Sequence, residues 1–296
     1  MVGVGDGPWH CMEEAVVGLA HRAKNLPCQD AAQAVHKPRP ILVLADGAGS
    51  SAVSEIGARA VVQGTVRLLD TLNRPMAELL DGDGPDAAAT ARTWGLLLVK
   101  HAVGLLKDLA AEHRRELRDF RCTLLVMVAG QQRLLWLKVG DGALVLERMH
   151  GRQHHQAPAE VQWDAPVLST LGSLGKGEFA NQTQFLDGIT PDEVELGCVD
   201  VADVTGMAIM SDGAAERLVS LDGHQVSSRI ATLLQQLRSD KLRRQTLTQM
   251  FYSPDFCERS TGDDRSIALA ARTFVAAPRP QPMPPPPPDG SGSAPG

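Results

Sequence analysis

Aspartates dominate the residues in this chain that could do chemistry, and most of them share one local setting. An apolar run ends in Asp with Gly beside it at Leu44-Ala45-Asp46-Gly47-Ala48-Gly49, at Lys138-Val139-Gly140-Asp141-Gly142 and at Ile209-Met210-Ser211-Asp212-Gly213. Gly262-Asp263-Asp264 precedes a final apolar run, and Cys28-Gln29-Asp30 precedes a short one. Asp-Gly is a good turn dipeptide, so any single instance is explained by a turn. Gathered at one edge of a sheet, however, such carboxylates would repel one another unless cations neutralised them. Hard oxygen donors of this kind suit Mg²⁺ or Mn²⁺, which keep several waters and bind through few carboxylates. Zinc is not expected, because no His/Cys cluster has ligand spacing; His154-His155 reads as a solvated pair on a loop.

The elements that would position these aspartates are mixed strands and helices. Ile41–Ala45 reads as a buried strand entering a turn, and Ser54 to about Leu69 as a helix with Glu55 in its first turn, where the macrodipole favours an acid. A second helix is expected over about Asp86–Leu117, broken near Gly104. Strand-like runs follow at Cys122–Val128, Leu134–Val139 and Ala143–Leu146. From about Gly151 to Pro191 periodicity weakens, which predicts a long loop with at most one strand, Gln182–Leu186. Strands return at Val194–Val201 and Met207–Met210, and Ile230, Leu233, Leu234 and Leu237 mark one helical face. Asp240 is expected to cap a further helix reaching Met250, before a last strand at Ser266–Ala270. Strand meanders interspersed with helix pairs predict an α+β layered fold.

Composition removes several function classes. Hydrophobic residues at 43% and charged residues at 22% of 296 fit a globular chain with a sizeable core. With 29 Lys/Arg against 35 Asp/Glu the net charge is −6 and no basic stripe stands out, so nucleic acid is not expected as a partner. The longest apolar runs, such as Gly95–Val99, are far too short to span a bilayer, and the first residues lack the features of a signal peptide. Five cysteines, with no C-x-x-C pair, predict reduced thiols in a cytoplasm rather than a disulfide framework. Nine of the 19 prolines fall between Pro278 and Pro295, so the globular domain is expected to span 1–274 and the Pro/Gly/Ser-rich stretch 275–296 to be an extended linker or tail.

Taken in order, Asp30, Asp46-Gly47-Ala48-Gly49, Gly140-Asp141, Ser211-Asp212-Gly213 and Asp263-Asp264-Arg265-Ser266 resemble the type 2C, metal-dependent Ser/Thr protein phosphatases (PPM), most closely their bacterial branch, over about Ala15–Ala270. The resemblance implies a four-layer α-β-β-α sandwich of two antiparallel sheets flanked by helices, with two Mg²⁺ or Mn²⁺ ions at one end. By motif position, Asp46 would bridge both ions and the Gly47 carbonyl would ligate one. Asp212 and Asp263 would hold the ion on one side, and Asp30 would reach the other directly or through water. Asp141, with Asp212, matches a third and weaker site, completed by Glu216. Water between two dications is acidified toward neutrality, so hydroxide can attack the phosphoryl group in line without a phospho-enzyme, and neither Cys28 nor a serine is needed as nucleophile.

The chain departs from the family twice: Gln29 stands where many members have Glu, and Asn25 stands where a phosphate-binding Arg is usual. Arg22, His21 and Lys24 lie close by as substitutes, Arg22 being chemically best because a guanidinium pairs bidentately with phosphate. The loop at Asp164–Pro191, with Thr170-Leu171-Gly172-Ser173 and Gly175-Lys176-Gly177, falls where the family carries a flap. The function implied is dephosphorylation of phosphoserine and phosphothreonine in a protein partner, a Ser/Thr kinase or its target. The alternatives are a non-catalytic binding module of the same fold and a hydrolase of small phosphate esters.

Overall fold

The computed structural model describes residues 8–84, 86–149, 151–154, 157–173, 183–258 and 260–273, with backbone alone between 151 and 163. Strands are β1 (Trp9–Val16), β2 (Ala31–Val35), β3 (Ile41–Ala45), β4 (Leu124–Ala129), β5 (Arg133–Val139), β6 (Ala143–Arg148), β7 (Gly151–His154), β8 (Ala157–Trp163), β9 (Val167–Leu171), β10 (Glu195–Asp200), β11 (Val204–Met210) and β12 (Arg265–Arg272). Helices are α1 (Leu19–Ala23), α2 (Ser54–Thr71), α3 (Ala77–Asp81), α4 (Ala87–His113), α5 (Asp212–Leu218), α6 (Ser228–Arg238), α7 (Arg244–Phe251) and α8 (Pro254–Cys257).

Two five-stranded antiparallel sheets, in the orders β1-β12-β11-β6-β9 and β10-β5-β4-β3-β2, lie face to face, and β7-β8 forms a separate hairpin. Alternation along the strands explains the layering. In β3, Ile41, Val43 and Ala45 join a core shared with α2, α3 and α4, whereas Leu42 and Leu44 face the other sheet. In β12, Ile267, Leu269 and Ala271 pack with residues of α5, α6 and α7, whereas Ala268 and Ala270 turn inward. Both faces of the central strands are therefore buried, which is why their sequences are continuous apolar runs rather than alternating ones. The result is the expected four-layer α-β-β-α sandwich.

Several local expectations are corrected. α4 runs unbroken through Gly104, where an added Cβ would meet open space, so nothing bends the helix there. The stretch expected to be mostly loop holds β7, β8 and β9, and no strand forms over 183–186. Asp240 does not start a helix: its φ of 55° is left-handed, the N–H of Lys241 donates to the Gln236 carbonyl, and together they close α6. The Gly175-Lys176-Gly177 segment, Gln182, the side chains of His154-His155 and the tail from Phe274 onward lie outside the described residues.

Candidate metal centre

Antiparallel register brings the aspartates together. Ala31 pairs with Ala45, Leu124 with Val139, Ala143 and Ile267 with Met210, and Val16 with Arg265. Asp30, Asp46, Asp141, Asp212 and Asp263-Asp264 each sit just beyond one of these pairs, so all five turns crowd one end of the sandwich.

Local hydrogen bonds fix each turn. The Asp46 N–H donates to Thr123 Oγ1 (2.9 Å), and Thr123 N–H returns a bond to the Asp46 carbonyl (2.8 Å), locking the end of β3 to the start of β4. The Ser211 N–H donates to the Ser266 carbonyl (3.1 Å) and the Ser266 N–H to Ser211 Oγ (3.0 Å), which sets Asp212 against the start of β12. Glycine is required where the turns meet. A Cβ on Gly213 would lie 2.2 Å from the Asp264 carbonyl oxygen, and one on Gly18 would lie 2.1 Å from that of Asp263. Asp-Gly is thus a close-approach device here as well as a turn.

Electrostatics follow from this crowding. The Asp30 carboxyl is pushed up to about 7, chiefly by burial; the Ser211 and Ser266 hydroxyls lower it, and Asp264 and Asp212 raise it. Asp212 is pushed up to about 6 by burial first and then by Asp141. Asp46 rises well above the carboxylate range through burial and the charges of Asp30 and Asp212, and it approaches Asp212 closely enough to share a proton. Burial, followed by the Asp30 charge, drives the Cys28 thiol far up, so Cys28 is no thiolate nucleophile.

Buried oxygens that complete no regular hydrogen bond indicate what the centre fits. Both Asp30 carboxylate oxygens, Asp212 Oδ1 and Gln29 Oε1 are buried and close no well-formed hydrogen bond, although the Ser211 and Ser266 hydroxyls lie near Asp30 and the Asp46 carboxyl near Asp212, an arrangement that costs stability unless a cation or water meets it. Among the described residues no three His, Cys, Asp or Glu side chains form a ready-made cage for an ion. A hydrated Mg²⁺ or Mn²⁺ needs no such cage, since it keeps most of its waters.

The remaining candidates are placed differently. Asp263 is half exposed (48%) at the mouth and its Oδ1 accepts from the Asp264 N–H (2.9 Å). Asp141 accepts from Thr183 Oγ1 at 2.6 Å. Glu216 engages the loop that carries Asp263: its carboxylate accepts from the N–H (3.2 Å) and Oγ1 (3.3 Å) of Thr261. Of the cation candidates His21 reaches the cluster, with Nε2 3.6 Å from Asp263 and Nδ1 3.0 Å from Asp264, while Arg22 and Lys24 are exposed on α1 and just beyond it. Sequence reasoning missed Asp264. Buried at 2% exposure, it accepts from Gly18 N–H (2.7 Å) and Gln29 N–H (2.6 Å), pinning α1 and the Asp30 turn to β12. Only the doublet Asp263-Asp264 hinted at this, and nothing in it distinguishes the two side chains.

The raised carboxyl values predict a pH dependence. Unfolded Asp titrates near about 3.9, whereas Asp30 and Asp212 titrate at about 7 and about 6 in the fold. The stability this contributes is complete below the unfolded value and is lost as pH rises through the folded ones. In EDTA the melting temperature of the wild type is therefore expected to fall relative to Asp212→Asn between pH 5 and 8, and added Mn²⁺ to restore it. Thermal scans across pH check this; a difference between the two proteins that does not change with pH would contradict it.

The chain is similar in sequence and fold to known proteins. The family sequence model described as "Protein phosphatase 2C" matches residues 17–251. Serine/threonine-protein phosphatase 3 of Escherichia coli is 27% identical over 284 residues, covering 88% of this chain and 98% of that protein. The catalytic domain of the phosphatase PstP, solved with 2 manganese ions, superposes with a TM-score of 0.55 at 16% identity, over 90% of this chain and 99% of that one. Stp1 of Staphylococcus aureus gives 0.53 at 14% identity, over 88% and 94%. Among the described residues no helix is long and apolar enough to cross a membrane. A match running through residues 17–251 of 296, on a double sandwich that gathers its aspartates at one end, makes this chain a member of the protein phosphatase 2C family.

Proposed function

We propose that the protein hydrolyses phosphoserine and phosphothreonine in proteins, using Mg²⁺ or Mn²⁺ held at the aspartate end of the sandwich. The observation that carries this reading is the cluster of buried carboxylates of Asp30, Asp46 and Asp212, whose Asp30 oxygens and Asp212 Oδ1 complete no regular hydrogen bond. Two ions are assigned to Asp30, Asp46, the Gly47 carbonyl, Asp212 and Asp263, and a third to Asp141 and Asp212, with Glu216 at its edge. Bound there, the ions would acidify water and neutralise phosphate charge.

The chain's own residues supply the rest. Asp46 and Asp212, held by the hydrogen bonds that tie the end of β3 to the start of β4 and the end of β11 to the start of β12, fix where positive charge is placed without reorganisation during the reaction. Gln29 Oε1, buried and lacking a donor, can accept from an ordered water but adds no charge. His21, Arg22 and Lys24 are assigned to the substrate phosphate, with His21 already at the cluster beside Asp263 and Asp264. The phosphorylated partner is a Ser/Thr kinase or a kinase target. Residues 1–274 form the catalytic unit, 275–296 a Pro-rich linker, and the cytoplasm is the compartment.

Turnover of a phosphothreonine peptide with Mn²⁺, with Mg²⁺ and with EDTA is the test. Turnover with either ion and loss of it in EDTA are expected. EDTA-resistant turnover would remove the metal chemistry, preference for a nucleotide would favour the small-ester hydrolase, and no turnover with any ion would favour a binding module.

A further inference from the structure

A groove of about 450 Å³ opens beside the carboxylate cluster, lined by Arg121, Thr183, Gln184, Phe185, Asp187 and Ile189 among others. It is joined to the cluster at three points. Thr183 donates to Asp141. The Arg121 carbonyl accepts from the N–H of Ala48, next to Gly47 (3.0 Å), and Cys122 forms a β-bridge with Gly47 while its carbonyl accepts from Leu186 N–H. The groove is therefore tied by hydrogen bonds to the segment that carries Asp46 and to the Asp141 side chain.

Its surface is rigid and nearly neutral. Asp187 grips the Arg121 guanidinium through Nε (2.9 Å) and Nη2 (2.7 Å), and the guanidinium lies over the Phe185 ring at 5.5 Å. A bidentate pair stacked on an aromatic ring has little rotamer freedom left to lose on binding. Since Asp187 offsets Arg121, the unmatched charge in the groove is that of Glu193, whose carboxylate is held by Thr190. An acidic neighbour would be repelled there, whereas an apolar side chain can pack on Phe185 and Ile189.

We propose that this groove is the subsite for the polypeptide flanking the phosphorylated residue, that it selects apolar over acidic neighbours, and that Phe185 on its Arg121–Asp187 support is the specificity-determining residue. The proposal rests on the phosphatase reading above and names which protein substrates that site accepts.

The test compares three substrates with Mn²⁺: a phosphothreonine peptide flanked on both sides by leucine, the same peptide flanked by aspartate, and para-nitrophenyl phosphate, which has no flank. Wild type is expected to favour the leucine peptide over the aspartate peptide by about tenfold or more in kcat/KM, the scale of a well-packed apolar contact. Phe185→Ala is expected to lower the ratio of leucine-peptide to aryl-phosphate kcat/KM by a similar factor. If Phe185→Ala fails to fold, Phe185→Leu is read the same way, because it keeps an apolar side chain but removes the ring under Arg121. An unchanged ratio, or a preference for the aspartate peptide, overturns the subsite. Failure of wild type to turn over any of the three instead removes the phosphatase reading beneath it.

Discussion

Asp46→Ala and Asp212→Ala are each expected to lower Mn²⁺-dependent turnover of a phosphothreonine peptide by about 10³-fold or more, while leaving the metal-free protein as stable as wild type or more so. The two halves have one cause. Lewis-acid stabilisation of transition-state charge is worth several kcal/mol, and about 1.4 kcal/mol is tenfold in rate, so losing a ligand assigned to more than one ion would remove several decades. In the absence of cations the same carboxylates are a burden. Burial and mutual repulsion raise Asp46 and Asp212 out of the normal carboxylate range, and deleting either relieves its neighbours Asp30 and Asp141. A collapse in activity accompanied by a matching fall in metal-free melting temperature would mean that these side chains hold the fold together, contrary to the role assigned to them.

The adjacent aspartates of the Asp263-Asp264 pair should separate cleanly, and this is the second large effect. Asp264→Ala leaves the N–H groups of Gly18 and Gln29 buried without an acceptor and removes the carboxylate that lies 3.0 Å from His21 Nδ1. Each orphaned buried donor costs about 1–3 kcal/mol, so a loss of about 3–5 kcal/mol is expected. For a domain of this size that lowers the melting temperature by on the order of 10 °C. Asp263→Ala removes a half-exposed carboxylate whose one internal acceptor bond is to the next residue's N–H, so it should hardly move the melting temperature but should weaken Mn²⁺ binding. Equal melting temperatures for the two variants would show that the division of labour is wrong.

How much of this was legible in the sequence depended on the kind of burial. β3, β4, β11 and β12 are buried on both faces, and their apolar runs show it directly. β1 was not foreseen: as an edge strand it mixes Glu13 and Glu14 among apolar residues and is half-buried along most of its length. Among the described residues β7 and β8 pair only with each other, as a hairpin apart from both sheets. The aspartates that converge were visible because each flanks an apolar run, closing it at Asp46, Asp141 and Asp212 and preceding it at Asp30 and Asp263. Their convergence was not, since it depends on antiparallel register between strands as distant as β1 and β12. Asp264 escaped for the opposite reason. Its acceptors' partners are backbone N–H groups more than 230 residues away, and backbone donors leave no mark on sequence.

The centre itself is tested most directly by an equilibrium Mn²⁺ titration of the full chain, followed by electron paramagnetic resonance and set beside the same titration of Asp46→Ala. Wild type should take up about two ions in a saturable manner before any weaker third, and Asp46→Ala, lacking the ligand assigned to both, should lose that uptake while remaining folded. Saturable binding that survives in Asp46→Ala, or none in wild type, would show that these carboxylates do not seat the ions and that the chemistry assigned to them lies elsewhere.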